Sequence, residues 1–221
     1  MHGIILKTIR EFVVDTHDEE TWLEIQREAD VQERVYVPVA VYPDGDVYEL
    51  VRTAGELTDT DPRTLLTEYG RWVVPVLLEL YDLHIDDEWD GLELITNVQQ
   101  FHTSLRTRDL TDLTTPRVRS ERLDDRRVRV TYDSDRKLCD VARGALYGVA
   151  DRFDEELTVD EETCMHDGDD ACRFVVERTA TAIGRNEADA RNAATDRSAT
   201  DATDQGATRD AATGSAVEVD R

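Results

Sequence analysis

The chain has 221 residues, with 50 acidic side chains against 26 basic ones and a formal net charge of −24. That balance excludes a general nucleic-acid binder or a polybasic membrane-surface protein, since both need cationic surface to meet phosphate. No apolar run approaches the roughly 20 residues of a membrane span, and three cysteines suit a reducing compartment better than a disulfide scaffold, so the chain reads as soluble and cytoplasmic.

Ile4, Ile5, Ile9 and Phe12–Val13 recur at helical spacing, and Glu19–Ile25 continues the pattern with Trp22. Val35–Tyr42 is β-branched and aromatic, fits helix or strand, and ends in the turn Pro43-Asp44-Gly45-Asp46. Val47–Leu57, Pro62–Tyr81 and Gly91–Leu105 read as further helices. After Pro116 the period changes to two: Arg117–Leu123 and Arg127–Tyr132 flank Asp124-Asp125-Arg126 as a hairpin. Lys137–Phe153 returns to helical spacing, with Gly144 and Gly148 permitting close packing. A second strand pair, Glu156–Val159 and Arg173–Glu177, surrounds the acidic turn 166–170. Helices followed by a small antiparallel sheet with one inserted helix predict an α+β domain over residues 1–178.

Residues 179–221 read as a disordered tail. From Ala180 on there are twelve alanines and no aromatic residue, too little apolar area to offset the entropy of ordering. The tail carries 8 acidic and 5 basic groups, so the excess acidity coats the folded part. With two lysines against 24 arginines, that surface resembles a salt-adapted (halophilic) protein, in which concentrated salt screens self-repulsion.

Two features carry chemistry. His102 shares a helix face with Val98 and Leu105. An imidazole in an apolar layer must have its nitrogens satisfied, and a backbone carbonyl does this more often than a ligand. In Tyr132-Asp133-Ser134-Asp135-Arg136, extended spacing sends a phenol, a hydroxyl and a guanidinium to one side. The trio suits carboxylate capture, although an arginine bridged to Asp133 or Asp135 at a hairpin end fits equally well.

Tyr132-x-Ser134-x-Arg136, with His102 some thirty residues upstream and Pro116 between them, resembles the heme-nitric oxide/oxygen binding (H-NOX, or heme NO-binding) family. The start Met1-His2-Gly3-Ile4-Ile5 and the Gly144–Gly148 pair also fit, so the resemblance runs from Met1 to about Arg178. It implies an H-NOX-like fold, in which a helical part packs on the sheet-bearing part with noncovalent ferrous heme b between them. His102 would be the axial ligand, Tyr132, Ser134 and Arg136 would hold the propionates, and Pro116 would press on the porphyrin. Ile5, Val73 and Val141 would form an apolar distal wall, with Tyr147 the nearest residue able to add a polar group. An apolar wall implies binding of nitric oxide and CO in preference to oxygen. The role implied is sensing, not catalysis. The signal would pass to a separate protein such as a histidine kinase, a cyclic-nucleotide enzyme or a chemotaxis transducer, by release of the His102 helix.

Cys139, Cys164 and Cys172 form a second candidate site. Their spacing alone says little, and buried thiols or a redox-dependent Cys164–Cys172 disulfide are open alternatives. Some H-NOX domains bind structural zinc through three cysteines and a histidine in this region. The resemblance then makes His166 the fourth ligand, with Glu161 as substitute. The alternative for the whole chain is a heme-free small-molecule-binding or adaptor domain, since the region from Cys164 to Cys172 also resembles the vinyl-reductase-like domains. His102 would then be a core residue.

Overall fold

The computed structural model describes residues 1–32, 35–80, 85, 86, 88–107 and 116–179, with the side chains of 80 and 101–107 excepted. The expected tail from residue 180 onward and the side chain of His102 therefore lie outside the described residues.

Four helices come first: α1 (Gly3–Thr16), α2 (Glu19–Glu28), α3 (Asp44–Thr58) and α4 (Pro62–Leu80). Asp18 caps α2 by accepting from the Thr21 amide at 2.7 Å. Pro43-Asp44-Gly45-Asp46, expected as a turn, instead starts α3. Asp44 and Asp46 fall in its first turn, where the exposed amides favour negative charge. Val35–Tyr42 forms neither helix nor strand. It makes one isolated bridge, Val41 to His2, and lies so close to Gly3 of α1 that a Cβ there would meet the Tyr42 ring at 2.7 Å.

Helix α5 (Gly91–Thr107) leads into strands β1 (Arg117–Arg122) and β2 (Arg127–Asp133). Helix α6 (Cys139–Arg152) follows, then β3 (Leu157–Thr163) and β4 (Cys172–Arg178). The strands form one antiparallel sheet in the order β1-β2-β4-β3. The expected α+β architecture is present, with β3 running past its expected end at Val159 to Thr163. Val128, Val130 and Tyr132 share the buried face of β2 as their spacing predicts.

Buried apolar residues fall into two clusters. One joins α1–α4 through Leu6, Phe12, Trp22, Ile25, Leu50, Tyr69 and Val73. The other joins α5, α6 and the sheet through Leu92, Ile95, Val128, Leu146, Phe174 and Val176. Helix α6 serves both, since Leu138 and Val141 pack on the first cluster while Cys139 and Leu146 belong to the second. Its close approach to α4 depends on glycine: a Cβ at Gly144 or Gly148 would collide with the Thr67 or Arg71 carbonyl. The Arg71 carbonyl is also the one that Pro75, lacking an amide hydrogen, leaves unbonded within α4. Arg63 and Arg71 of α4 pair with Asp140 and Asp151 of α6, at 3.1 and 2.6 Å.

Candidate cofactor and metal sites

The turn from β2 into α6 carries the Tyr-x-Ser-x-Arg sequence. Tyr132 ends the buried face of β2, and its phenol lies beside the Ser134 hydroxyl. Burial pushes its pKa up to about 12, an effect that the hydrogen bond with Ser134 only partly offsets. Ser134 Oγ in turn accepts from the Arg136 amide at 3.3 Å. The Arg136 guanidinium is 19% exposed, and its Nε donates to Asp44 Oδ2 at 2.9 Å.

Neither Asp133 nor Asp135, the partners considered from sequence, provides that ion pair: Asp133 accepts from Arg117 at 2.9 Å. Asp44 also accepts from the amino terminus. Burial works against its ionisation, but the bonds from the amino terminus and Arg136 outweigh it and hold the carboxyl below its usual range. The turn is thus fastened to the start of α3, and Tyr48 adds a bond to the Arg136 carbonyl at 3.1 Å. A phenol, a hydroxyl and a guanidinium on one turn fit the carboxylates of a cofactor rim.

The three residues expected on an apolar wall all lie in or against the first cluster. Val73 is buried in the first cluster, and Ile5 and Val141 pack against it. Sequence reasoning missed a polar pair in the same layer, Thr8 and Tyr69, whose hydroxyls lie 2.8 Å apart. Thr8 Oγ1 also lies 2.9 Å from the Ile4 carbonyl and 3.1 Å from the Ile5 carbonyl. Tyr147 is half-buried, with its phenol in electrostatic reach of the Arg71 guanidinium. A cavity of about 40 Å³ lies nearby among Ile9, Phe12, Trp22, Leu50 and Tyr69. It is too small for a porphyrin and is not lined by Ile5, Val73 or Val141.

His102 belongs to the last turns of α5, with its side chain outside the described residues. The first half of that helix is firmly held. Asp90 Oδ1 accepts from the Glu93 amide at 2.8 Å. Arg178 pairs with Asp90 at 2.7 Å and with Glu155 at 3.2 Å. Ser120 of β1 donates to the Ile95 carbonyl at 2.7 Å. Pro116 is half-buried immediately before β1.

The three cysteines are buried free thiols. Sγ of Cys164 lies 3.9 Å from Sγ of both Cys139 and Cys172. A tetrahedral ion with 2.3 Å bonds to sulfur has an edge of about 3.8 Å, so the sulfurs already stand at metal-site spacing. Burial raises the pKa values of Cys139 and Cys172, which keeps these thiols protonated when nothing is bound.

Among the described residues the carboxylate of Glu161 joins all three sulfurs, with every donor atom within 4.8 Å of the others. His166 does not join that set. It is exposed, stands near Cys139 and Asp140, and its Nε2 lies 3.0 Å from the Lys137 carbonyl. The signal for Glu161 was available in the sequence: Leu157, Val159 and Glu161 alternate on the half-buried face of β3. A carboxylate on that face is out of place unless it has a partner.

The sequence model of the family described as Haem-NO-binding (HNOB) matches residues 2–161. No curated protein matches the chain. Among solved structures, an H-NOX protein from S. oneidensis in the Fe(II)NO ligation state superposes with a TM-score of 0.74 at 22% identity, covering 81% of this chain and 100% of that one. The Fe(II) unliganded H-NOX protein from K. algicida gives 0.69 at 19% identity, with 82% and 98% covered. A mutant of T. Tengcongensis H-NOX gives 0.70 at 19% identity, with 83% and 100% covered. These likenesses establish the fold, and the family match over residues 2–161 establishes that the chain belongs to the haem-NO-binding, or H-NOX, family.

Proposed function

We propose that the chain is a heme-based gas sensor that binds nitric oxide and CO and passes the signal to a separate protein. Heme b, when bound, supplies a ferrous iron with one coordination position open to a diatomic gas. Arg136, Tyr132 and Ser134 would hold its carboxylates, His102 would supply an imidazole nitrogen to the iron, and Pro116 would pack against the porphyrin. The observation that carries this reading is the signature turn, whose donors are fixed on one another and on Asp44.

Ile5, Val73 and Val141 form an apolar wall, and the nearby Tyr69 hydroxyl is paired with that of Thr8. Such a wall withholds a hydrogen bond worth about 1–3 kcal/mol from bound oxygen, whereas nitric oxide and CO depend far less on one. Helix α5 connects the axial position to the sheet through Ser120 and Ile95, which gives a change at His102 a path to a partner surface. That partner is a histidine kinase, a cyclic-nucleotide enzyme or a chemotaxis transducer. The protein itself performs no turnover. We infer in addition that Cys139, Cys164 and Cys172 hold a structural zinc ion, and that the protein works in a salt-rich cytoplasm.

Absorption spectra of the ferrous protein test the sensor. Nitric oxide should shift the heme band, and His102→Gly should weaken heme retention until imidazole is supplied. A stable oxygen complex in air would remove the selectivity for nitric oxide. Purified protein that takes up no heme would remove the sensor reading itself.

A further inference from the structure

Helices α5 and α6 cover one face of the sheet. Alternation along the strands sends the intervening side chains to the other face, where Arg117, Arg119 and Glu121 of β1 and Arg173 of β4 are exposed. Val175 is the one apolar side chain that β1, β2 and β4 turn that way. The face suits a polar partner.

Most of its arginines are matched. Arg117 pairs with Asp133 at 2.6 Å, Arg127 with Asp124 at 2.7 Å, and Arg129 with Glu121 at 3.3 Å and Glu162 at 3.2 Å. Arg119 and Arg173 are the exceptions. Among the described residues neither has a carboxylate within ion-pair distance, and Arg173 donates only to the Thr163 hydroxyl, at 3.4 Å. Where 50 acidic side chains face 26 basic ones, an arginine without a carboxylate is unexpected. Here two share one row, since Thr131 of β2 is the register partner of Arg119 on one side and of Arg173 on the other. With Glu177, the outward side chains of β1, β2 and β4 comprise five arginines against three carboxylates, a cationic patch on an acidic molecule.

We propose that this face docks an acidic helix of a separate protein, lying across the strands with its carboxylates on Arg119 and Arg173. Two strand spacings put the Cα atoms of these arginines roughly 10 Å apart. Carboxylates at i and i+7 of a helix stand about 10.5 Å apart, whereas those on one side of an extended strand stand about 7 or 14 Å apart. A carboxylate at i+4 then meets the Thr131 hydroxyl between them. Each guanidinium takes a carboxylate through two parallel bonds, so the contact selects geometry as well as charge. Glu121 beside Arg119 and Asp133 beside Thr131 disfavour an acidic helix turned along the strands. The proposal names the partner surface of the sensor reading and rests on that reading for what the partner does. Ser120, next to Arg119 on β1, bonds to the Ile95 carbonyl of α5, the helix that carries His102.

The probe is a fluorescein-labelled, alanine-based peptide, stapled as a helix, with glutamates at i, i+4 and i+7 on one face. Anisotropy reads its binding to the full-length, heme-free protein in about 0.1 M potassium chloride. The same peptide with glutamines should bind at least about tenfold more weakly. Arg119→Ala and Arg173→Ala should each weaken binding about fivefold, while Arg127→Ala, whose guanidinium is already held by Asp124, should change it less than about twofold. Arg119→Glu combined with Arg173→Glu should reject the glutamate peptide and accept its lysine counterpart. Equal binding of the glutamate and glutamine peptides, or equal weakening in the three alanine variants, overturns the proposal. Sedimentation showing a dimer that the double reversal dissociates overturns it too, in favour of a second copy of the chain.

In heme-loaded protein, nitric oxide should change the affinity for the glutamate peptide at least about threefold. An unchanged affinity overturns this face as the signalling surface. A chain that takes up no heme refutes the sensor, while the peptide titrations still decide the docking surface.

Discussion

At the scale of single residues, Tyr132 has the clearest energetic consequence. Its pKa in the folded protein lies near 12, against 10 for the free phenol. A raised value means stability that is complete below pH 10 and lost as pH climbs toward 12, because only the unfolded chain then releases its proton readily. Two units correspond to at most about 2–3 kcal/mol. Chemical denaturation across pH 9–12 should therefore show stability declining, with a shallower decline in Tyr132→Phe. Equal slopes would contradict burial as the cause.

The trio itself could be read in the sequence because alternation along an extended strand is a local property. Its partner could not, because Asp44 and Arg136 are separated by most of the domain and meet only through the fold. Thr8 and Tyr69 were missed for the same reason. Glu161 is different, since it was visible as a charge on an inward face once β3 was carried past Val159.

Among the elements, α4 and α6 show how residue size sets geometry. Gly144 and Gly148 let the backbones approach until side chain or carbonyl leaves no room for a methyl group. Gly144→Ala should cost roughly 1–3 kcal/mol, since overpacking against rigid backbone cannot relax through a rotamer change. The loss should appear as a lower melting temperature with secondary structure retained. Gly45→Ala, where a Cβ meets nothing within 4 Å, should be nearly neutral. The helices were legible because their apolar spacing is regular, and the two glycines already marked a close approach. Val35–Tyr42 was not legible. Its composition suits a strand, yet its carbonyls at Pro38 and Ala40 accept from the amides of Ile4 and Gly3 rather than from a sheet.

For the molecule as a whole, the excess of negative charge is the feature with the longest reach. Arginines are widely engaged in surface pairs, such as Arg52 with Glu49 and Glu56, yet 50 acidic side chains face 26 basic ones. Salt weakens both the pairs and the repulsion. Exposed pairs are each worth about 0–1 kcal/mol, so relief of the long-range repulsion should prevail as the screening length falls from about 10 Å at 0.1 M to about 3 Å at 1 M. The melting temperature should accordingly rise with potassium chloride over that range. A fall would mean that the pairs outweigh the net charge.

Because α6 completes the apolar layer of the first four helices, those helices leave the ribosome before the residues that cover them have been made. Leu138 and Val141 arrive more than fifty residues after α4 ends. A nascent chain halted near residue 100 should therefore remain sensitive to protease and bind chaperones, whereas one extended past Arg178, with α6 and all four strands made, should acquire resistance in the helical half and the sheet-bearing half together.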